Sequence, residues 1–243
     1  MKSSSMPIIR SPLSPTWSRY LAIFWRKRNL SVHRALQYEA LSKVSFGGAI
    51  LDIGGGDLAH YKSIILNEPH VTSYASINIS AEMHPTYQAD LNDVSKLPLI
   101  KSDMVVSLNT LEHLRKPEYV LKYAYDVLNS EGKLVIIIPF LIRVHASPHD
   151  YVRLTATWWT ETLMEMGFSK IIVEPLVWDP IASGAAVCGE VGPFRLASRL
   201  LWPLYGLLYS FIKGSNGDRY PEVIGAKVNE FALGYLIEAS RPT

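Results

Sequence analysis

The chain has 243 residues, 48% of them hydrophobic and 19% charged, with a net charge of +2. That is enough apolar chain for one α/β domain with extensions, and it excludes wholesale disorder. So small a net charge gives no global attraction to nucleic acid.

The charge is unevenly placed. Residues 1–38 hold seven basic side chains (Lys2, Arg10, Arg19, Arg26, Lys27, Arg28 and Arg34) and no acid, which leaves the remainder at a net −5. A basic arm over 1–46 therefore precedes a mildly acidic domain over 47–243. The single cysteine, Cys188, permits neither an intramolecular disulfide nor a multi-cysteine metal site, so a reducing, cytoplasmic setting is expected. The opening residues contain no apolar core of signal-peptide length. The most apolar stretch, Leu200 to Ile212, is shorter than the ~20 residues that span a bilayer, and Pro203 and Gly206 interrupt it.

Residues 1–15 are rich in Ser and Pro and are expected to be loose. Trp17 to Val44 reads as helix in two pieces divided near Asn29. Ala49 to Ile53 is a short apolar run ending in glycines, which reads as a buried strand followed by a helix from about Leu58 to Leu66. Val71 to Ile79 and a short piece near Tyr87–Leu91 read as the next strands. Asp103 to Leu108 reads as a fourth strand. Pro117 opens a helix to about Leu128, and Asn129-Ser-Glu-Gly132 reads as its stop. Leu134 to Ile138 has the continuous apolar character of a central parallel strand. A helix over Thr155–Met166 and a strand over Phe168–Val177 follow. Residues 178–228 show no regular pattern except a helical piece near 193–212, and Phe231 to Ala239 gives a last strand. This alternation predicts a doubly wound α/β sheet of seven strands, mostly parallel, with ligands bound at the strands' carboxyl ends.

The loop Leu51-Asp-Ile-Gly-Gly-Gly-Asp57 joins the first strand of this unit to its helix. Gly54, Gly56 and Ala59 also fit the dinucleotide fingerprint, but Asp52 and Asp57 would sit beside an anionic pyrophosphate. At about 4 Å, like charges repel by about 1 kcal/mol even in water. A ligand with a cationic amino group suits these carboxylates better. The position about 20 residues on, where a dinucleotide site wants an acid, holds Asn78.

Further residues extend the pattern. They are Ala89-Asp-Leu91, Leu97-Pro98, Asp103 through His113, Val127 through Leu134, and Pro139. Taken in this order with the glycine loop, residues 48–177 resemble the class I S-adenosylmethionine-dependent methyltransferases, closest to the small-molecule and ubiquinone-type subgroup. Gly234 to Pro242 resembles that family's last, antiparallel strand. The segment Pro139 to Thr155 is similar to methyltransferases associated with bacterial surface-glycan pathways. The resemblance implies S-adenosylmethionine as cofactor. It places Asp52, with the backbone of Gly54 and Gly56, at the donor's methionine end, and Asn78 at the ribose hydroxyls, where the family usually has Asp or Glu. It places Asp90 at the adenine amino group and Leu91 against the ring, with Asn109 to His113, including Glu112, beside the sulfonium and the acceptor.

Methyl transfer to a hydroxyl needs alignment, exclusion of water and a base for the proton. Histidine is the natural base, so the candidates are His113, His145 and His149, with Asp150. For His113 the bland alternative is a structural Glu-His pair, and for His149-Asp150 it is loop anchoring through Asp150 and Arg153. His145, His149 and Asp150 are metal-ligating types, but a Pro-containing loop gives them no fixed spacing, and no metal is expected.

The basic, aromatic segment 17–28 and the apolar segment 200–212 have two readings. They pack on the core as a lid, or they touch an anionic membrane surface from the cytoplasmic side. Nucleic acid is disfavoured, since the aromatics are not spread along an extended basic surface. The expected activity is methylation, at oxygen, of a small-molecule or glycan-like acceptor. The alternatives are a non-catalytic binding protein on this fold, which Asn78 favours, and a dinucleotide oxidoreductase.

Overall fold

The computed structural model describes residues 6–26, 29–189, 195–213 and 228–243. The strands are β1 (Ile8–Ile9), β2 (Gly48–Ile53), β3 (Val71–Asn78), β4 (Tyr87–Gln88), β5 (Ser102–Leu108), β6 (Leu128–Pro139), β7 (Ser169–Leu176) and β8 (Gly234–Ser240). The helices are α1 (Trp17–Tyr20), α2 (Val32–Leu41), α3 (Lys62–Leu66), α4 (Pro117–Val127), α5 (Ala156–Glu165), α6 (Pro180–Cys188) and α7 (Arg195–Lys213). A π-helical stretch, Leu21–Trp25, continues α1.

All the strands form one sheet in the order β1-β7-β8-β6-β5-β2-β3-β4, parallel except that β8 runs antiparallel between β6 and β7. Side chains alternate across it. Leu51 and Ile53 of β2 pack with Val105, Ile136, Val120, Leu121, Trp159 and Leu163 on the α4–α5 face. Ile50 packs with Val106, Ile137, Leu36, Leu41, Trp178 and Leu207 on the other face, with α2, α6 and α7. The order reverses between β2 and β5, which opens a crevice at their carboxyl ends.

Helix starts follow local capping. Ser31 accepts from the Arg34 amide at α2, Thr155 accepts from the Trp158 amide at α5, and Pro117 opens α4.

Several expectations need correction. The sheet has eight strands among the described residues, because Ile8–Ile9 pairs parallel with Ile172–Val173. The arm before Trp17 is therefore not loose throughout. β7 has an open edge there, and Arg10 ties the arm down beside Glu174 at 3.5 Å and Glu238 at 3.7 Å. The helix expected from Leu58 is shorter. Residues 56–62 instead turn through i→i+3 bonds, Ala59 N–H to Gly56 and Lys62 N–H to Ala59, before α3 begins. Asn129 to Gly132 do not sit outside the regular structure: α4 stops at Val127 and these residues already belong to β6, with the Glu131 amide bonded to Arg241.

Residues 178–189 also hold an unanticipated helix, α6. Asp179 caps it, accepting from the amides of Ile181 and Ala182, and Pro180 follows the cap. Within the insertion expected at 178–228, residues 190–194 and 214–227 lie outside the described residues.

Candidate functional site

A cleft of about 1060 Å³ opens at the carboxyl ends of β2, β3 and β5. One half is bounded by Gly54, Asn78, Ser80, Met83, Asp90 and Leu91, the other by Asn109, Thr110, His113, Tyr119, His149 and Tyr151. Gly54 has φ +91°, and a Cβ there would strike the Thr110 side chain across the crevice. Only glycine closes the first strand's tip against the β5 loop.

Asn78 ends β3. Its amide nitrogen donates to the carbonyls of Gly54 (2.6 Å) and Gly55 (3.1 Å), and its oxygen accepts from the Ser80 amide at 2.9 Å. A carboxylate has no donor to offer two carbonyls. The amide at this position is thus required by the loop itself.

The two acids that favoured a cationic ligand are occupied elsewhere. Asp52 is fully buried and faces away from the cleft. Its carboxylate accepts from Tyr61 (2.9 and 3.1 Å) and Tyr74 (2.6 Å), and Gly55 packs directly on it, where a Cβ would clash. Burial pushes this carboxyl up to about 6, against the hydrogen bonds of Tyr74 and Tyr61 and the charge of Lys62. Asp57 pairs with Lys62 at 2.5 Å. The acid that does border the cleft is Asp90, whose Oδ1 accepts from the backbone and side chain of Asn92. Gly56 lies against the Met83 carbonyl. Neither Asp52 nor Asp57 is among the residues that line the cleft.

Asn109 sits in the left-handed region at φ +49° and exchanges amide hydrogen bonds with the fully buried Gln37 of α2 (2.5 and 3.2 Å). This bond fastens the N-terminal helices to the cleft wall. Gln37 also lies 3.0 Å from His33, whose ring burial drives down to about 3.

Past β5, a 3-10 turn over Leu111–His113 carries Glu112 and His113. Glu112 is 0% exposed, and neither carboxylate oxygen has a hydrogen-bond partner. Burial pushes its carboxyl up to about 8, against the pull of its own backbone amide, which lies outside hydrogen-bond geometry, and of Arg153 and Arg34, with Asp150 adding to the rise. The Nδ1 of His113 lies 2.6 Å from the His149 carbonyl. Asp150 pairs with Arg153 through both oxygens and accepts from the His145 amide at 2.8 Å. The Arg153 hydrogen bonds and the neighbouring positive charge hold Asp150 below the usual carboxylate range despite its burial.

Of the predicted residues, the cleft thus gathers Gly54, Asn78, Asp90, Leu91, Asn109, His113 and His149. Asp52, Gly56, Asp57, Glu112, His145 and Asp150 stand behind or beside it. Sequence reading missed Tyr119, Tyr151, Arg115 and Lys116, which line the second half of the cleft. Their signal was position alone: Arg115, Lys116 and Tyr119 lie in the loop after β5 and the first turn of α4, and Tyr151 in the loop after β6. Nothing in the sequence marked Tyr61 and Tyr74 as partners of Asp52.

Residues 51–136 match the family model described as "Methyltransferase domain". This segment is similar to a methyltransferase domain, and the sheet order around it is that of the class I methyltransferase fold. No curated protein sequence matches the chain. Among solved structures, a SAM-dependent methyltransferase from Archaeoglobus fulgidus is similar over 93% of this chain and 100% of its own, at 15% identity and TM-score 0.54. A second, from Mesorhizobium loti, is similar over 86% and 98%, at 15% identity and TM-score 0.52. A phosphoethanolamine N-methyltransferase 2 from Haemonchus contortus, in complex with phosphomonomethylethanolamine and S-adenosylhomocysteine, is similar over 95% of this chain and 54% of its own, at 14% identity and TM-score 0.50. These likenesses concern the fold. The matched segment contains Gly54, Asn78, Asp90, Asn109, Glu112 and His113. His145, His149, Asp150 and the helices α2, α6 and α7 lie outside it.

Proposed function

We propose that this methyltransferase domain transfers a methyl group from S-adenosylmethionine to a hydroxyl of a small-molecule or glycan-like acceptor. The observation that carries the reading is the continuity of the cleft. The glycine loop, Asn78, Asp90 and Leu91 border one end, and His113, His149 and Tyr151 border the other. Its volume exceeds what one drug-sized ligand fills, so there is room for donor and acceptor together.

The donor supplies an electrophilic methyl group and leaves as a thioether. The residues present fit it: Asp90 offers an acceptor for an amino group, Leu91 an apolar face, and the Gly54 backbone a close approach that a Cβ would block. Tyr119 and Tyr151 are exposed at the mouth and offer flat faces with hydroxyls, which suits a sugar-like ligand. His149, exposed on the cleft wall with its ring 5.5 Å from that of Tyr151, is the residue assigned to take the acceptor's proton. Asp150 and Arg153 anchor the loop that presents it.

Thermal shift tests the reading. S-adenosylhomocysteine at 100 times its Kd should stabilise the full chain by about 2.7 kcal/mol, and NAD should not. For a domain of this size that is a rise of roughly 5–10 °C. A rise with NAD, or with neither ligand, would refute it.

A lipid surface is the partner this reading adds. The segment Trp17–Trp25 buries Tyr20, Ile23 and Phe24 in the core, yet exposes Trp17, Leu21 and Trp25. α7 packs against it and exposes Leu201, Trp202, Tyr205 and Leu208. No helix among the described residues is long and apolar enough to cross a membrane. Exposed aromatics beside a basic arm support interfacial contact. Flotation with anionic vesicles should carry the full chain upward, and Trp25→Ser with Trp202→Ser should leave it at the bottom. Equal flotation of both proteins would refute the contact.

A further inference from the structure

We propose that Glu112, His113 and His145 form a binding site for a divalent transition-metal ion at the edge of the cleft. One ligand atom from each lies within 4.8 Å of the others. The His113 Nε2 is 3.6 Å and the His145 Nε2 3.9 Å from Glu112 Oε1. Those distances are too long for N–H···O hydrogen bonds. Ligands around one ion, each about 2.0–2.2 Å from it, stand about 3–3.5 Å apart, so a few tenths of an ångström of closure brings each imidazole nitrogen to that spacing from the carboxylate.

Three independent features point the same way. First, Glu112 is fully buried and neither oxygen has a hydrogen-bond partner, so both remain open to an ion, whose charge would favour the ionised carboxyl. Second, the tautomers are set. The Nδ1 of His113 faces the His149 carbonyl at 2.6 Å, and that of His145 faces the Arg143 carbonyl at 3.1 Å, with an Asp150 oxygen at 3.6 Å. A carbonyl only accepts, so each Nδ1 carries a proton, which leaves Nε2, the nitrogen nearer Glu112, as the ligating atom of each ring. An outer N–H held by a carbonyl or carboxylate is the usual support of a ligating histidine. Third, the rings of His113 and His145 stand edge to face at 5.3 Å, and both Nε2 atoms approach the same oxygen, Glu112 Oε1.

The grouping differs from the one the sequence suggested. His145 joins Glu112 and His113 rather than His149 and Asp150, because Asp150 is committed to Arg153 and the His145 amide. Two imidazoles and one carboxylate suit Zn²⁺ or Fe²⁺ and leave coordination positions open. His113 borders the cleft, so an acceptor hydroxyl can take an open position. Its O–H is acidified there, the proton passes to His149 or solvent, the O–CH₃ bond forms, and the S–CH₃ bond breaks with its electron pair left on sulfur. This catalytic use rests on the proposed methyl transfer; metal binding itself does not.

The test measures binding apart from activity. The full chain, stripped with a chelator, is dialysed against Zn²⁺ for metal content and titrated with Co²⁺ by visible absorption. One ion per chain with cobalt d–d bands is expected. His145→Ala and Glu112→Gln should each weaken binding by more than about 100-fold, with far-ultraviolet circular dichroism confirming that both variants are folded. His145 is exposed, and Gln keeps the volume of Glu112 while removing its ability to ionise. A wild-type chain that takes up no ion, or a cobalt spectrum unchanged in both folded variants, would overturn the proposal. A failed search for methyl transfer would leave the binding result standing.

Discussion

Replacing Asp52 by asparagine isolates the cost of a buried charge behind the glycine loop. The carboxyl is fully buried and titrates at about 6 in the fold against 3.8 in the free state. Between those values the native chain holds more protons than the unfolded chain. Its stability must therefore fall as pH rises through that window and level off above it. A shift of about two units corresponds to about 3 kcal/mol, present as extra stability below pH ~4 and lost above pH ~6. The asparagine amide would keep one acceptor for Tyr61 or Tyr74 and remove the charge. We expect Asp52→Asn to flatten the stability profile over this window and to be more stable than wild type at pH 7.5 by about 1–3 kcal/mol. Urea denaturation of both proteins at half-unit steps from about pH 4 to 8 measures the difference. A difference constant with pH, or a variant less stable throughout, would refute the argument. A residue that costs stability at neutral pH is of the kind retained for function. The same variant should therefore also bind S-adenosylhomocysteine more weakly in calorimetry, through the Gly55 backbone that rests on the carboxylate.

Asn78→Asp should destabilise the chain by about 1–3 kcal/mol, because two loop carbonyls lose their donor; thermal unfolding measures this, and a neutral result would contradict the assigned bonds. His149→Ala should lower turnover by about 10²–10⁴-fold with donor affinity retained, read from single-turnover rates alongside calorimetry. Turnover equal to wild type would remove His149 from the chemistry. Gly54→Ala should abolish donor binding, since its Cβ meets Thr110 and its φ of +91° disfavours any side chain; equilibrium dialysis with labelled donor checks it.

The alternation of strands and helices from Ala49 to Val177 was legible because its periodicities are local. A strand buried on both faces, such as Leu134 to Ile138, is apolar throughout, and glycines mark the tip of β2 whatever the rest of the chain does. The antiparallel last strand was legible from resemblance. α6 was overlooked although Asp179-Pro180 is a helix-start signal, because the surrounding stretch lacks amphipathic periodicity. The pairing of Ile8–Ile9 with β7 was not legible: two residues carry no period, and only the edge left open by β7 gives them a partner.

At the site, sequence by itself determined which residue types stand at the strand ends. Tertiary structure alone decided which way they face. Asp52 shares a face with Tyr61 and Tyr74 rather than with the cleft. Asn109 reaches Gln37 across 72 residues, and His145 joins Glu112 rather than its neighbour His149. The physical reason is that hydropathy and turn chemistry act over a few residues. Which side chains meet depends instead on how the sheet closes and which loop folds over its carboxyl ends.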